Sequence, residues 1–176
     1  MPRATSVIAA GHRQDWINDR PVIDTVILDY AQRNAQKLSV TGIKGVVVEI
    51  DLHQLVRLRT DDLLVLDDGS LVEVVAAPEP LIEARLADVA GLARLAWHLG
   101  DRHVPVQVLP NRIRAQRDSA TEGLLASLGA KLTMIEAPFE PEGGAYAQQA
   151  GAGCEHHDHG HSYSHDHRHE HGHKHD

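Results

Sequence analysis

The sequence predicts an α+β chain: a small β-rich N-terminal domain over residues 1–77, a ferredoxin-like βαββαβ domain over 80–139, and a disordered linker and His-rich tail over 140–176. Short β-branched runs separated by turn residues fill the first 77 positions. Beyond Pro78 and Pro80 the apolar spacing changes to strand and helix periods in alternation. The last 21 residues, HHDHGHSYSHDHRHEHGHKHD, hold ten of the fourteen histidines and present no apolar face on either period. Such a tract cannot bury enough surface to offset its ordering entropy, so disorder until metal arrives is the expectation.

In chain order, Val22–Leu28 and Gly45–Ile50 are β-branched runs, and Gln54–Arg59 alternates as a strand does. Leu63–Leu66 and Leu71–Val75 flank Asp67-Asp68-Gly69-Ser70, where Asp-Gly supplies the positive φ that a tight turn needs. Short strands at this spacing predict a small sandwich or barrel-like sheet, and Pro78 and Pro80 bracket a hinge. Leu81–Leu86 reads as a strand. Asp88 caps a helix whose Leu92, Leu95, Ala96 and Leu99 recur at i, i+3, i+4 and i+7, with Gly100 where it should end. Val104–Leu109 and Asn111–Ala115 follow as strands. Ser119 and Glu122 match a capping box opening a helix through Leu124, Leu125 and Leu128, closed by Gly129. Lys131–Glu136 is the last strand, and the order β-α-β-β-α-β is the ferredoxin-like pattern.

Formal charge is −8, of which the tail holds −3 and the body −5. An acidic body argues against nucleic-acid binding, although Arg94, Arg102, Arg112, Arg114 and Arg117 put five cations within 24 residues, a solvated face or a dock for an acidic partner. Cys154 is the single cysteine, which excludes an intramolecular disulfide and a Cys-based zinc finger. Two residues before the His tract, it is an auxiliary soft ligand or a surface thiol. The N-terminal apolar stretch of five residues is too short for a secretory signal core, and no window approaches a membrane span, so a cytoplasmic protein is expected.

Neutral imidazole favours borderline cations such as Ni²⁺, Zn²⁺, Cu²⁺ and Co²⁺. The tail offers His156, His157, His159, His161, His165, His167, His169, His171, His173 and His175, interspersed with acids rather than run together as in an appended tag. Outside it, His12 and His53 are isolated. His98 and His103 are five residues apart, about 140° around a helix axis, and so cannot chelate one ion together. His98 lies on the polar side of its helix as a surface residue. Just past a helix C-terminus, His103 is either a partner of the helix dipole or a ligand. No phosphate loop, nucleophile elbow or grouped Ser/His/Asp signature supports catalysis, and Asp61-Asp62 and Asp67-Asp68 sit in turns where Asp belongs for backbone reasons.

Taken together, WHLGDRHVPVQVLPNRIRAQRD, LLASLGAKL, APFEPEGGAY and the terminal His tract resemble the urease accessory metallochaperone family (UreE). Trp97-His98-Leu99-Gly100-Asp101-Arg102-His103 is similar to the family's helix-end HLGNRH segment, with Asp101 in place of the usual Asn. The stretch RLRTDDLLVLDDGSLVEVVAAPEPLIEAR looks like the family's crossing between domains, and the likeness covers most of residues 20–146. It implies an N-terminal domain for partner contact, a ferredoxin-like metal-binding domain that forms a homodimer, and delivery of Ni(II) to apo-urease through the urease accessory GTPase complex. It also implies that His103 sits at the dimer interface and binds metal with its symmetry mate. Some members carry two further histidines on the following strand and loop; Val106 to Ser119 contains none here, so the remaining ligands must come from water or the tail.

Two ligands are too few for a tight site, whereas six-coordinate Ni²⁺ takes several more N or O donors, and incomplete sites suit a carrier that must release its cargo. The 17 residues from Phe139 to His156 give a reach of roughly 20–25 Å, at an effective concentration on the order of mM. Zn(II) and Cu(II) are further cations such a tract takes. The rival readings are a nickel or zinc storage or detoxification protein, a metal-dependent enzyme, for which the body has too few ligands, and a metal-responsive regulator, disfavoured by the acidic body.

Overall fold

The structure, a computed structural model, describes residues 1–143. The His tract and the disorder expected of it lie outside the described residues. The element order is β1 (Arg3–Ile8), a 3-10 turn (Ala10–His12), α1 (Gln14–Ile17), β2 (Val22–Leu28), α2 (Tyr30–Arg33), β3 (Lys37–Thr41), β4 (Val47–Asp51), β5 (Leu63–Leu66), β6 (Leu71–Ala76), β7 (Pro78–Arg85), α3 (Val89–Asp101), β8 (Val106–Leu109), β9 (Arg112–Gln116), α4 (Ser119–Ser127) and β10 (Lys131–Pro138). Two sheets result, a six-stranded one in the order β2-β6-β5-β1-β4-β3 and a four-stranded one in the order β10-β7-β9-β8. The α+β class holds, with a ferredoxin-like second sheet.

The first sheet curls around a core that includes Ala4, Val26, Leu28, Val48, Ile50 and Leu64. Its strands alternate as period-2 patterning requires; β2 and β6 bury residues at every other position over most of their length. One carboxylate closes the curl. Asp24 on β2, fully buried, accepts N–H bonds from Lys44 (2.9 Å) and Val46 (2.9 Å) in the turn between β3 and β4, at the opposite edge of the strand order. Burial pushes its carboxyl pKa up, but the bonds from Lys44, Thr25 and Val46 and the Lys44 charge outweigh this and hold it below the ordinary value. A depressed carboxylate pKa adds stability above the unfolded-state value, lost as pH falls through the folded one, so acid should loosen this sheet. Gly42 has no room for a side chain, because a Cβ there would lie 2.2 Å from Asp24 Oδ2. Gly42→Ala is therefore expected to cost about 1–3 kcal/mol, read as a lower urea midpoint at unchanged slope.

Several expectations are corrected. Gln54–Arg59 is not a strand, since its N–H groups go elsewhere: Leu58 donates to Arg33 O and Arg59 to the Asp62 carboxylate. The segment instead walls a cleft of about 470 Å³ with Thr5, Val7 and Leu52. Arg3–Ile8 and Lys37–Thr41, short and without strong β-branched runs, are strands that the pattern did not announce. Pro78 and Pro80 are no hinge but the start of β7, paired with Pro138 and Glu136 of β10. Pro80 O accepts from Arg117 N on the β9 side, so its hydrogen-free nitrogen points the same way, past the end of the β7–β9 ladder, and costs no bond. The cap of α4 is Asp118, accepting from Thr121 N at 2.9 Å, rather than Ser119.

The second sheet buries Ile82, Ala84 and Ile113 against Leu95 and Leu99 of α3 and Leu125 of α4. Asp88 caps α3 by accepting from Gly91 N (2.7 Å). The chain after β10 stays attached. Phe139 is fully buried and meets the Tyr30 ring edge-on at 5.3 Å, while the buried Arg33 guanidinium donates to Phe139 O, Leu58 O (3.3 Å) and Glu140 Oε1 (2.9 Å). Glu142 N then donates to Val106 O (2.7 Å) at the head of β8.

Candidate metal site at the end of the third helix

Both long helices end in the same six-residue motif. At the close of α4, Gly129 N donates to Ala126 O (3.0 Å) and Ala130 N to Leu125 O (3.1 Å), with Gly129 at φ 79°. At the close of α3, His103 N donates to Gly100 O (2.9 Å) and Val104 N to Leu99 O (3.0 Å), with His103 at φ 56°. These are the two bonds of a Schellman cap, whose left-handed residue is usually glycine because a Cβ costs roughly 1–2 kcal/mol there. Leu99, in the helix core, and Val104, packed against it, supply the accompanying apolar contact. The sequence placed the helix end at Gly100. Gly100 remains helical, and the left-handed position falls three residues later on a histidine.

That substitution is informative. An imidazole occupying a glycine position is strained backbone, so the side chain has its use beyond the backbone geometry, toward the helix dipole or as a ligand. His103 is exposed, as are Asp101 and Arg102 beside it. Arg102 Nη1 donates to His98 O (3.2 Å), satisfying one of the free carbonyls of the last turn. His98 is half-buried rather than a plain surface residue, with its ring edge-on to Trp97 at 5.0 Å. Trp97 is 64% exposed and Val89 79% exposed; with Ala93 between them at i+4 spacing they form an apolar stripe on the outer side of α3, leading toward His103. Nothing in the spacing of polar residues announced this stripe, because the buried stripe of the same helix masks it.

Among the described residues, no three His, Cys, Asp or Glu side chains come together as a metal site. His103 is therefore one donor that other donors have to join. The bond from Glu142 to Val106 places the root of the tail three residues from His103, at most about 11 Å along the chain. The ten predicted tail ligands lie outside the described residues; His12 and His53 are exposed and belong to the first sheet's side of the molecule. No helix among the described residues is long and apolar enough to cross a membrane.

The fold and this helix end define a class: a two-sheet α+β protein whose ferredoxin-like half displays a lone, strained histidine at a helix cap. Comparison with known proteins gives the class its family. Residues 4–77 match the UreE urease accessory protein, N-terminal domain, and residues 79–176 its C-terminal domain. The chain is 47% identical over 159 residues to the urease accessory protein UreE of Bradyrhizobium sp. (strain BTAi1), covering 90% of this chain and 75% of that one. It is 44% identical over 158 residues to that of Beijerinckia indica, 90% and 87% covered, and 40% identical over 157 residues to that of Chelativorans sp., 89% and 94% covered. The chain belongs to the UreE urease accessory protein family.

Proposed function

We propose that the protein is a nickel metallochaperone, which binds Ni(II) through His103 and the histidines of its tail and delivers it for assembly of the urease active site. The observation that carries this is the pair of matching helix caps, glycine at one and histidine at the other. An exposed imidazole at a left-handed cap position, where glycine would serve the fold better, favours ligation as its role. In this reading His103 meets its counterpart in a second copy across a two-fold axis, the only way one histidine per chain doubles into a site. The exposed Val89–Trp97 stripe beside it supports a homodimer through residues 80–139, leaving the first 77 residues for contact with the accessory GTPase and apo-urease. The root of the tail, bonded to Val106, favours His156 to His175 as further donors, completing the six positions that Ni(II) prefers and exchanging ions with the shared site. Zn(II) and Cu(II) would enter the same imidazoles. The protein has no catalytic role in this account, and it works in the cytoplasm.

The dimer is tested directly by sedimentation. A two-chain species at micromolar concentration is expected for the wild type. Trp97→Glu, which puts a charge in the stripe, should shift it toward monomer. A wild-type monomer with and without Ni(II) would overturn the shared site.

A further inference from the structure

The face of the second sheet turned away from α3 and α4 carries charge opposite to that of the chain as a whole. Cross-strand register places Lys131 opposite Arg85 and Arg114 opposite Glu83. Arg112, two residues before Arg114 on β9, reaches the same carboxylate. Glu83 is 6% exposed and accepts from Arg85 Nη2 (2.6 Å) and Arg114 Nε (3.0 Å), with Arg112 Nε also 3.0 Å from it. Burial pushes the Glu83 pKa up, but these guanidinium groups more than offset that and hold it below its ordinary value, so the group stays ionised at neutral pH. One carboxylate therefore meets three guanidinium groups, and Lys131 adds a fourth cation to the face. Among the described residues the Arg112 Nε hydrogen finds no acceptor in line, and the buried Oε1 of Gln107, on neighbouring β8, finds no donor. The other acid of this face, Glu79, sits at the far end, engaged by Tyr30 N and Gln116 Nε2.

We propose that this basic face docks the chain's own acidic histidine tract, residues 155–176, as an electrostatic latch that opens when the tract takes up metal. The tract holds five acids against two bases, −3 with neutral histidines, which complements the surplus on the face. Its root is already beside the face: Glu142 bonds to Val106 on β8, and β8 neighbours β9, which bears Arg112 and Arg114. Thirteen residues from Glu142 to Glu155 span at most about 45 Å, ample for a sheet whose strands are about 4.8 Å apart. Exposed ion pairs are individually weak, but tethering supplies an effective concentration on the order of mM, so a latch forms within one chain where free partners would not associate. Two divalent ions bound to the tract turn −3 into +1 and remove the attraction. Docking rests on charge and tether alone; only the release depends on the tract being the metal carrier proposed above.

Cys154, the single cysteine, accepts a nitroxide label just before the tract in the full-length protein. In metal-free protein at low salt, amide signals of Arg85, Arg112, Arg114 and Lys131 should lose at least half their intensity to paramagnetic broadening, while those of α3 are spared. About 0.5 M salt should restore them, since screening is then effective within a few ångströms. So should a tract carrying Asp158→Asn, Asp166→Asn and Glu170→Gln, which leaves the sheet untouched, and so should diamagnetic Zn²⁺. Equal broadening in wild type and the neutralised tract, or none in either, overturns the latch. Broadening that persists with Zn²⁺ measurably bound overturns the release, whereas no bound Zn²⁺ at all would count against the metal-carrier reading and leave the latch standing. Face signals that respond to added polyglutamate but not to the labelled tract would assign the surface to an acidic partner instead.

Discussion

Truncation after Tyr146 is expected to cut the bound Ni(II) from several ions per chain to one ion per dimer, with the fold intact. In the proposed function the ten removed histidines are the bulk of the donors, while both sheets, the helix caps and the Arg33–Glu140 clamp around Phe139 lie in residues 1–143. His103→Ala should do the reverse, sparing the tail's capacity and abolishing the shared ion. His103→Gly makes the sharper case. Glycine relieves the φ 56° conformation, so stability should hold or rise by about 1 kcal/mol while the shared ion is lost. A residue kept for the fold cannot give that combination. Imidazole ligates only when neutral, with an ordinary pKa of about 6.5, so ions held by the tract should be retained near pH 8 and shed by about pH 5.5. Calorimetry on the three variants checks both statements; equal metal loss in the truncation and in His103→Ala would mean the two sites are one.

Phe139→Ala is expected to produce the largest loss of stability, about 3–5 kcal/mol. It empties a fully buried aromatic position that faces Tyr30 and lies under Arg33, between the first sheet and the chain leaving the second. Glu140→Ala acts on the same clamp by charge. Arg33 is fully buried and Glu140 is the carboxylate that neutralises it, so removing Glu140 leaves a lone guanidinium in the interior at a cost of about 3 kcal/mol. Glu140→Gln, which keeps an acceptor, should cost less. The functional corollary is that a loosened clamp frees the root of the tail from β8. Nickel affinity at His103 should then fall while the tail's own stoichiometry does not. Urea unfolding followed by nickel titration of the folded variant measures both; a Phe139→Ala protein as stable as the wild type would refute the clamp.

The legible parts of the fold were those where one local signal decides. The Asp67–Ser70 turn, with Gly69 at φ 85°, the Asp88 cap and the Gly129 cap each need a particular residue at a particular place, and the sequence shows it. What stayed hidden depends on partners distant in sequence. Arg3–Ile8 is a strand because β4 and β5 flank it, and Gln54–Arg59 fails as one because its N–H groups are claimed by Arg33 and Asp62. For the site, spacing alone left His103 between dipole partner and ligand. The left-handed backbone that tips the reading is a geometric fact no residue pattern announced, since Gly100 offered itself as the expected helix end three positions earlier. The metal chemistry expected of the tail rests on composition alone, whereas the anchoring of its root to Val106 had no signal in the sequence.

Whether this chain carries nickel to urease is read from reconstituted urease activation. Apo-urease, its accessory GTPase complex and limiting Ni(II) are combined with the full-length protein, with His103→Gly, or with the chain truncated after Tyr146. The wild type is expected to raise urease activity well above the nickel-only control, truncation to lower the gain at limiting metal, and His103→Gly to lose most of it while folding normally. Activation by His103→Gly equal to the wild type, or no gain from the wild type over free Ni(II), would contradict nickel delivery through His103.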